Sequence, residues 1–294
     1  MSEYRSCVLC WRKCNADREN GEVGYCKMPS SIYVSRAALH MWEEPIISGT
    51  RGSGTIFFDG CSLGCIFCQN SEISRNKHGR EISVEQLSEI MLELQSKGAH
   101  NINFVTPTHY LPSVREGIIK AKMNGLSIPI VYNTGGYDTP EAIRTLFGLV
   151  DVFIPDFKYY KKKSAKEYSN AENYPECVRL TIDEMVTQVP RAQINEEGIM
   201  QSGVLVRVLL LPSHLAEAKL TVKYLYETYG DSIYISLMSQ YTPPSNMPQP
   251  LNRRVTSAEY DELVDYASRL GVKNCFIQEK GSAAEHFIPD FNSL

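Results

Sequence analysis

The 294-residue sequence has no apolar run approaching the roughly 20 residues that would cross a bilayer. Its start, MSEYRSCVLCWRK, lacks the apolar core of a secretory signal. A basic excess is missing as well. Thirty Lys and Arg stand against 34 Asp and Glu, a formal net charge of -4, so there is no global positive field of the kind that drives non-specific nucleic-acid binding. Low-complexity tracts and repeats of fixed period are also absent. Together these absences set aside membrane and nucleic-acid partners and place the protein in the cytoplasm.

What is present is ordinary for a folded chain: 43% hydrophobic and 22% charged residues, enough for one large domain or one domain with an appendage. The nine cysteines are not ordinary. In a reducing compartment, clustered cysteines hold metal or do redox chemistry more often than they form disulfides. Cys7, Cys10, Cys14 and Cys26 make one group and Cys61, Cys65 and Cys68 a second. Cys177 and Cys275 stand alone and read as buried small apolar residues.

From residue 57 onward, short apolar runs alternate with amphipathic stretches. Strands are expected at 57–58, 102–105, 128–132, 152–154, 204–211, 233–238 and 274–277, with helices near 83–97, 112–124, 139 onward, 174–189, 216–229 and 257–270. Ser83 with Gln86 forms a capping-box pattern, and Thr139 with Pro140 suits a helix start. Near-continuous apolar strands between helices predict a parallel sheet covered by helices, an α/β fold. The first six strands end in DGCSLGCIFCQN, TPTHY, NTGGYD, PDFK, PSH and SQYTPP, all at the edge where a β/α barrel gathers its catalytic loops. Residues 1–45 stay outside this alternation and are expected to form a Cys-rich, metal-binding extension, leaving 46–294 for the barrel.

A tight loop with three thiols can ligate zinc with a fourth ligand from elsewhere, or three irons of a 4Fe-4S cluster with one iron left open. The spacing Cys-x3-Cys-x2-Cys, with Phe67 before the last cysteine, resembles the cluster loop of radical S-adenosylmethionine (SAM) enzymes. Nearly the whole chain is similar to the PflX-like group, relatives of pyruvate formate-lyase activating enzyme. The segments carrying this resemblance are CVLCWRKCNADRENGEVGYC, EEPIISGTRGSGTIFFDGCSLGCIFCQN, FVTPTHYLP, VYNTGGYDTPE, PDFKYY, GVLVRVLLLPSH and LMSQYTP.

The resemblance implies a partial (β/α)6 TIM-type barrel and a 4Fe-4S cluster on Cys61, Cys65 and Cys68. It further implies reductive cleavage of SAM to methionine and a 5'-deoxyadenosyl radical, which takes a hydrogen atom from a substrate. A reductant such as flavodoxin or ferredoxin and sensitivity to oxygen follow. Phe67, Thr108, Asn133, Thr134, Asp156, Lys158 and Arg207 are the expected SAM-site residues. Where many relatives carry a GGE-type stretch, this chain has Thr106, Pro107, Thr108 and His109, so backbone carbonyls or Thr108 take the SAM amino group. Asn133 and Thr134 match a third-strand Asp-Thr-Asn-Gly region, although the first acid is here an amide. Asp156 and Lys158 match a fourth-strand Asp-x-Lys pattern, with Lys158 a partner for the SAM carboxylate.

Arg207 interrupts an apolar strand and needs a partner. That partner is a carboxylate of SAM or substrate, or a structural ion pair with Asp156 or a glutamate. His109 reads as a proton donor, a substrate ligand or a satisfied polar residue; His214, Gln240 and Tyr241 are substrate contacts. Cys7, Cys10, Cys14 and Cys26 suit a second 4Fe-4S cluster or zinc. The substrate is a small molecule or peptide, with a glycyl-radical protein and a non-catalytic metal scaffold as the alternatives.

Overall fold

In the computed structural model, residues 3–278 and 291 are described. The chain enters through β1 (Ile32–His40), a short α1 (Pro45–Ser48), β2 (Ser53–Phe58), α2 (Ser71–Ser74) and β3 (Arg80–Ile82). Alternation then sets in: α3 (Val84–Ser96), β4 (Ile102–Val105), α4 (Leu111–Met123), β5 (Ile130–Thr134), α5 (Pro140–Arg144) and β6 (Val152–Pro155). After α6 (Lys162–Ser169) and α7 (Tyr174–Gln188) come β7 (Gln193–Ile194), β8 (Met200–Leu209), α8 (Leu215–Tyr229), β9 (Tyr234–Met238), α9 (Ser257–Leu270) and β10 (Cys275–Ile277).

Strands β2, β4, β5, β6, β8, β9 and β10 pair in that order, all parallel, and form the partial TIM-type barrel. The predicted capping box at α3 is present: the Gln86 N–H donates to Ser83 Oγ at 3.2 Å, and the Ser83 N–H to Gln86 Oε1 at 2.9 Å. Strand β5 begins later than expected, because Pro129 has no N–H to give the ladder. Of the elements missed in the sequence, two bear on the site. Helix α6 reads as a lysine-rich surface, yet it buries Ser164, Ala165, Tyr168 and Ser169, an inner face too small and polar to register as apolar periodicity. Strand β1 lies inside the segment assigned to the extension, and it pairs antiparallel with β2 and β3. The sheet therefore begins at Ile32.

The parallel strands are buried on both faces, as their composition predicts. Ile130, Tyr132, Phe153, Val204 and Val206 face the helices in the main core. Alternate residues Val131, Val152, Ile154 and Leu205 face inward, where Ile46 and Ile47 of α1 pack against them. Above this apolar floor lies a charged layer. The Arg207 Nε donates to Glu44 Oε1 at 2.8 Å, its Nη2 is bound by both Glu43 and Glu44, and Asn103 Nδ2 donates to Glu43 Oε1 at 3.0 Å. The guanidinium is thus committed to two glutamates. Of the two roles open for Arg207, the structure shows the ion pair with glutamates, made through its Nε and Nη2. Burial alone would push the Glu44 carboxyl up, but the Arg207 charge and hydrogen bonds more than offset it and hold the carboxyl below its ordinary 4.5. Among the described residues no helix is long and apolar enough to cross a membrane.

Arg207→Met leaves two buried carboxylates without their cation and is expected to cost about 3–5 kcal/mol in denaturant unfolding. Because the folded Glu44 value is depressed, its contribution is complete above the unfolded value near 4.5 and is lost as pH falls through the folded value. Unfolding midpoints followed from about pH 7 to about pH 3 should decline less in Glu44→Gln than in the parent. Parallel declines in the two proteins count against the assignment.

Candidate active site

The loop after β2 carries Cys61, Cys65 and Cys68, all half-buried and free. Its base is folded back by the buried Asp59 carboxylate, which accepts the Ser35 hydroxyl and the His78 and Gly79 N–H groups, the latter two at 2.7 and 2.8 Å. Two glycines are obligatory. Gly60 and Gly64 have φ of 84° and 58°. A Cβ at Gly60 would lie 2.3 Å from Met28 Cγ, and one at Gly64 1.8 Å from the Arg75 guanidinium. Phe67 is buried edge-on to Tyr159, Tyr168 and Tyr241, with ring centroids 6.3, 6.3 and 5.9 Å away, and so fastens the loop into an aromatic cage.

Hydrogen-bond donors converge on the sulfurs. Cys61 Sγ receives the Leu63 N–H at 3.4 Å, and Cys65 Sγ receives the Ser169 hydroxyl at 2.9 Å, itself 2.7 Å from the Tyr159 hydroxyl. Burial first, and then the neighbouring thiols, push Cys68 up to about 12 and raise Cys61. Lys158 Nζ donates to Asp156 Oδ2 at 2.7 Å. Burial pulls this ammonium down, but Asp156, Cys65 and Cys68 raise it further, so it stays charged beside the thiols.

The other predicted residues divide. Asn133 lies at the mouth, its carbonyl accepting the Thr106 N–H at 2.8 Å. Thr106 sits at φ 58°, a left-handed conformation costly for a β-branched residue and found where a strand end is redirected at a site. Thr134 and Thr108 are buried, with hydroxyls 3.4 Å apart, and Thr134 donates to Asp138 Oδ2 at 2.5 Å. Asp138 also accepts the Tyr132 hydroxyl at 2.8 Å; burial raises its carboxyl, with Thr134, Thr108 and Tyr132 pulling it back. The sequence reading passed over Asp138 as part of a turn.

His214 is turned to Pro212 O at 2.7 Å and to the Tyr168 hydroxyl at 3.2 Å. Gln240 accepts Gln69 Nε2 on its carbonyl at 2.7 Å, and Tyr241 is buried with its hydroxyl donating to Leu251 O at 2.6 Å. His109 is buried behind the cysteine loop. Its Nε2 lies 2.6 Å from Asp59 O and therefore carries the proton, while Nδ1 has no partner. Burial, and then the Arg18 charge, lower its imidazole to about 3, so at neutral pH it has no proton to give from a cationic form.

The segment that carries the N-terminal cysteines lies against the same edge. Cys10 pairs in a bridge with Asp138, the Trp11 N–H donates to Tyr137 O at 3.1 Å, and the Thr139 N–H to Leu9 O at 3.3 Å. Cys14 Sγ receives the Tyr25 N–H at 3.3 Å. Cys10 is pushed up by burial first, with Cys26, Cys7 and Cys14 adding to it. The buried Arg18 ties this knuckle to Met28 O at 3.0 Å, to Pro29 O and to His109 O. The extension thus lies against the segments that follow β2, β4 and β5.

The three-thiol loop suits a group that takes one thiolate per iron. Its sulfurs already accept hydrogen bonds, and a fixed cation stands beside them. Among the described residues no three His, Cys, Asp or Glu close on a single metal ion. A family profile described as the Radical SAM superfamily matches residues 55–204, from β2 through the cysteine loop into β8. The chain belongs to the radical SAM superfamily. Radical SAM enzymes carry a 4Fe-4S cluster and bind SAM. An uncharacterized protein of Methanocaldococcus jannaschii is 28% identical over 277 residues, covering 90% of this chain and 75% of that one. Streptococcus suis SuiB bound to S-adenosylmethionine superposes with a TM-score of 0.52 at 13% identity, over 75% of this chain and 48% of that chain. HydG, a maturase of the FeFe-hydrogenase, gives 0.53 at 15% identity, over 83% and 56%. The chain thus spans about half the length of those two structures, and the likeness is one of fold.

A His109 held near 3 should stay neutral through the physiological range, with its imidazole carbon shifts in NMR flat from about pH 8 to about pH 5. A midpoint near the ordinary 6.5 is incompatible with this burial.

Proposed function

We propose that this radical SAM enzyme abstracts a hydrogen atom from a small-molecule or peptide substrate held under the N-terminal extension. When bound on Cys61, Cys65 and Cys68, the cluster with SAM supplies reductive cleavage to methionine and a 5'-deoxyadenosyl radical. The chain's own residues position and protect. Lys158 holds a fixed positive charge for the SAM carboxylate, and its three donors allow it to keep Asp156 while doing so. Asp156 and Asn133 stand at neighbouring strand ends for the ribose and ammonium groups. With the hydroxyls of Thr108 and Thr134 turned to Asp138, the SAM amino group falls to backbone carbonyls.

The observation that carries the small-substrate reading is the extension lying against the segments that follow three of the six strands that bear the site, β2, β4 and β5. A covered mouth excludes water and quenchers from a reactive radical. A glycyl-radical activase, in contrast, has to admit a loop of a partner protein at that edge. The N-terminal cysteines are assigned a second metal, iron-sulfur or zinc, in a structural or electron-transfer role, and a flavodoxin or ferredoxin supplies the electron.

Anaerobic reconstitution with iron counting and a dithionite-driven assay for 5'-deoxyadenosine tests the reading. The native protein should make deoxyadenosine, and a Cys61→Ala, Cys65→Ala, Cys68→Ala variant should make none. About eight irons in place of about four make the N-terminal site a second cluster. Zinc at both cysteine groups with no SAM binding would leave a metal scaffold in its place. Lys158→Met is expected to keep the cluster and weaken SAM binding by about 10- to 100-fold, the worth of a hydrogen bond to a charged group. Unchanged affinity removes Lys158 from the SAM site.

A further inference from the structure

Arg12 lies between Cys10 and Cys14 in the N-terminal knuckle, but every carbonyl it binds belongs to the barrel. Its Nε donates to Ser62 O at 2.9 Å and its Nη2 to Leu63 O at 3.2 Å, both within the Cys61–Cys65 stretch. The same guanidinium reaches Ser169 O at 2.8 Å and Asn170 O, capping the carbonyl end of α6. Four carbonyls from two segments thus take most of its five N–H donors. The guanidinium is stacked 3.6 Å from the Tyr25 ring and 5.3 Å from that of Tyr137. A second arginine, Arg75, also lies over Tyr25, at 4.6 Å, and donates to the Tyr25 hydroxyl at 2.9 Å and to Gly64 O at 3.1 Å. Three successive carbonyls between Cys61 and Cys65 are therefore held by two arginines that share one aromatic ring.

This grip has a consequence at the sulfurs. In a trans peptide, C=O and the next N–H point in opposite directions. Drawing Ser62 O and Leu63 O outward to Arg12 turns the Leu63 and Gly64 N–H groups inward, and the Leu63 N–H bonds to Cys61 Sγ at 3.4 Å. Hydrogen bonds to ligating sulfurs are one of the levers a protein has on cluster potential.

We propose that Arg12 is a positioning residue for the radical SAM reaction: by orienting the peptide planes of the Ser62–Gly64 turn it aims the Leu63 N–H at Cys61, so that the N-terminal knuckle controls the geometry of the cluster loop. The inference rests on the cluster assignment made above, but the clamp itself is a property of the protein alone. Arg75 holds the next carbonyl, Gly64 O, and a Cβ at Gly64 would lie 1.8 Å from its guanidinium.

The test compares full-length Arg12→Lys and Arg12→Gln with the parent protein by amide hydrogen exchange and by the midpoint potential of the reconstituted cluster. Exchange at residues 62–66 should rise about tenfold or more in both variants, since lysine keeps the charge but cannot fork between two segments, with thermal melting little changed. The potential should move to more negative values, further in Arg12→Gln than in Arg12→Lys, as N–H···S bonds and then positive charge are lost. Parent-like exchange in this segment, or a potential unmoved in both variants, overturns the proposal. If Arg12→Gln fails to fold, Arg75→Gln provides the same two readouts. If the parent takes up no cluster, the radical SAM assignment of the loop fails, and hydrogen exchange still decides the clamp.

Discussion

The buried ion pair of Arg207 with Glu43 and Glu44 divides the interior of the barrel into two regimes. Below it, α1 fills the space between the strands with Ile46 and Ile47, a dry apolar plug. Above it, Asp156 and Lys158 begin the polar surface of the site. The pair also fixes the entry of the chain. Glu43 and Glu44 follow β1 by only a few residues, so anchoring them inside the barrel sets where β1 lies against β2 and from which side the N-terminal knuckle approaches. A charged triplet at this depth is hardly a source of stability in itself, because desolvation cancels most of the attraction. What it does is tie the entry segment to β8, since both glutamates bond the one guanidinium.

The alternation of strands and helices was legible in the sequence because parallel strands covered on both faces must be apolar throughout, and runs such as VLVRVLLL are hard to read otherwise. The cysteine loop was legible because its chemistry demands that residue type at that spacing. Other features depend on contacts that local pattern does not encode. Arg18 and Arg12 look like ordinary surface charges in the sequence, yet one is buried and the other binds carbonyls some 50 and 157 residues away. Asp138 sits in a stretch rich in turn formers, and only the closing of the knuckle over it turns a turn residue into a buried carboxylate. The two roles open for Arg207 could not be separated from strand periodicity, which says that it faces inward but not how deep.

The site therefore has three contributors: a loop whose backbone is shaped by glycines, strand ends that bring Asp156, Lys158 and Asn133 to one edge, and a knuckle that presses on both. The strained Thr106 and the aromatic cage around Phe67 make the same point on a smaller scale. Neither carries the chemistry, but both remove freedom from groups that have to stand still beside it.

The sequence separation of the Arg12 contacts bears on the order of assembly. A ribosome delivers residue 12 long before residue 170, and the carbonyls that complete the Arg12 grip are 157 and 158 positions downstream. Until α6 emerges and docks, the Ser169 and Asn170 carbonyls are not there to be gripped, and Arg12 can hold only those of Ser62 and Leu63. The four-carbonyl grip is therefore complete only after more than half of the chain has been made, and the cysteine loop gains its last fastening well after its own strand has formed.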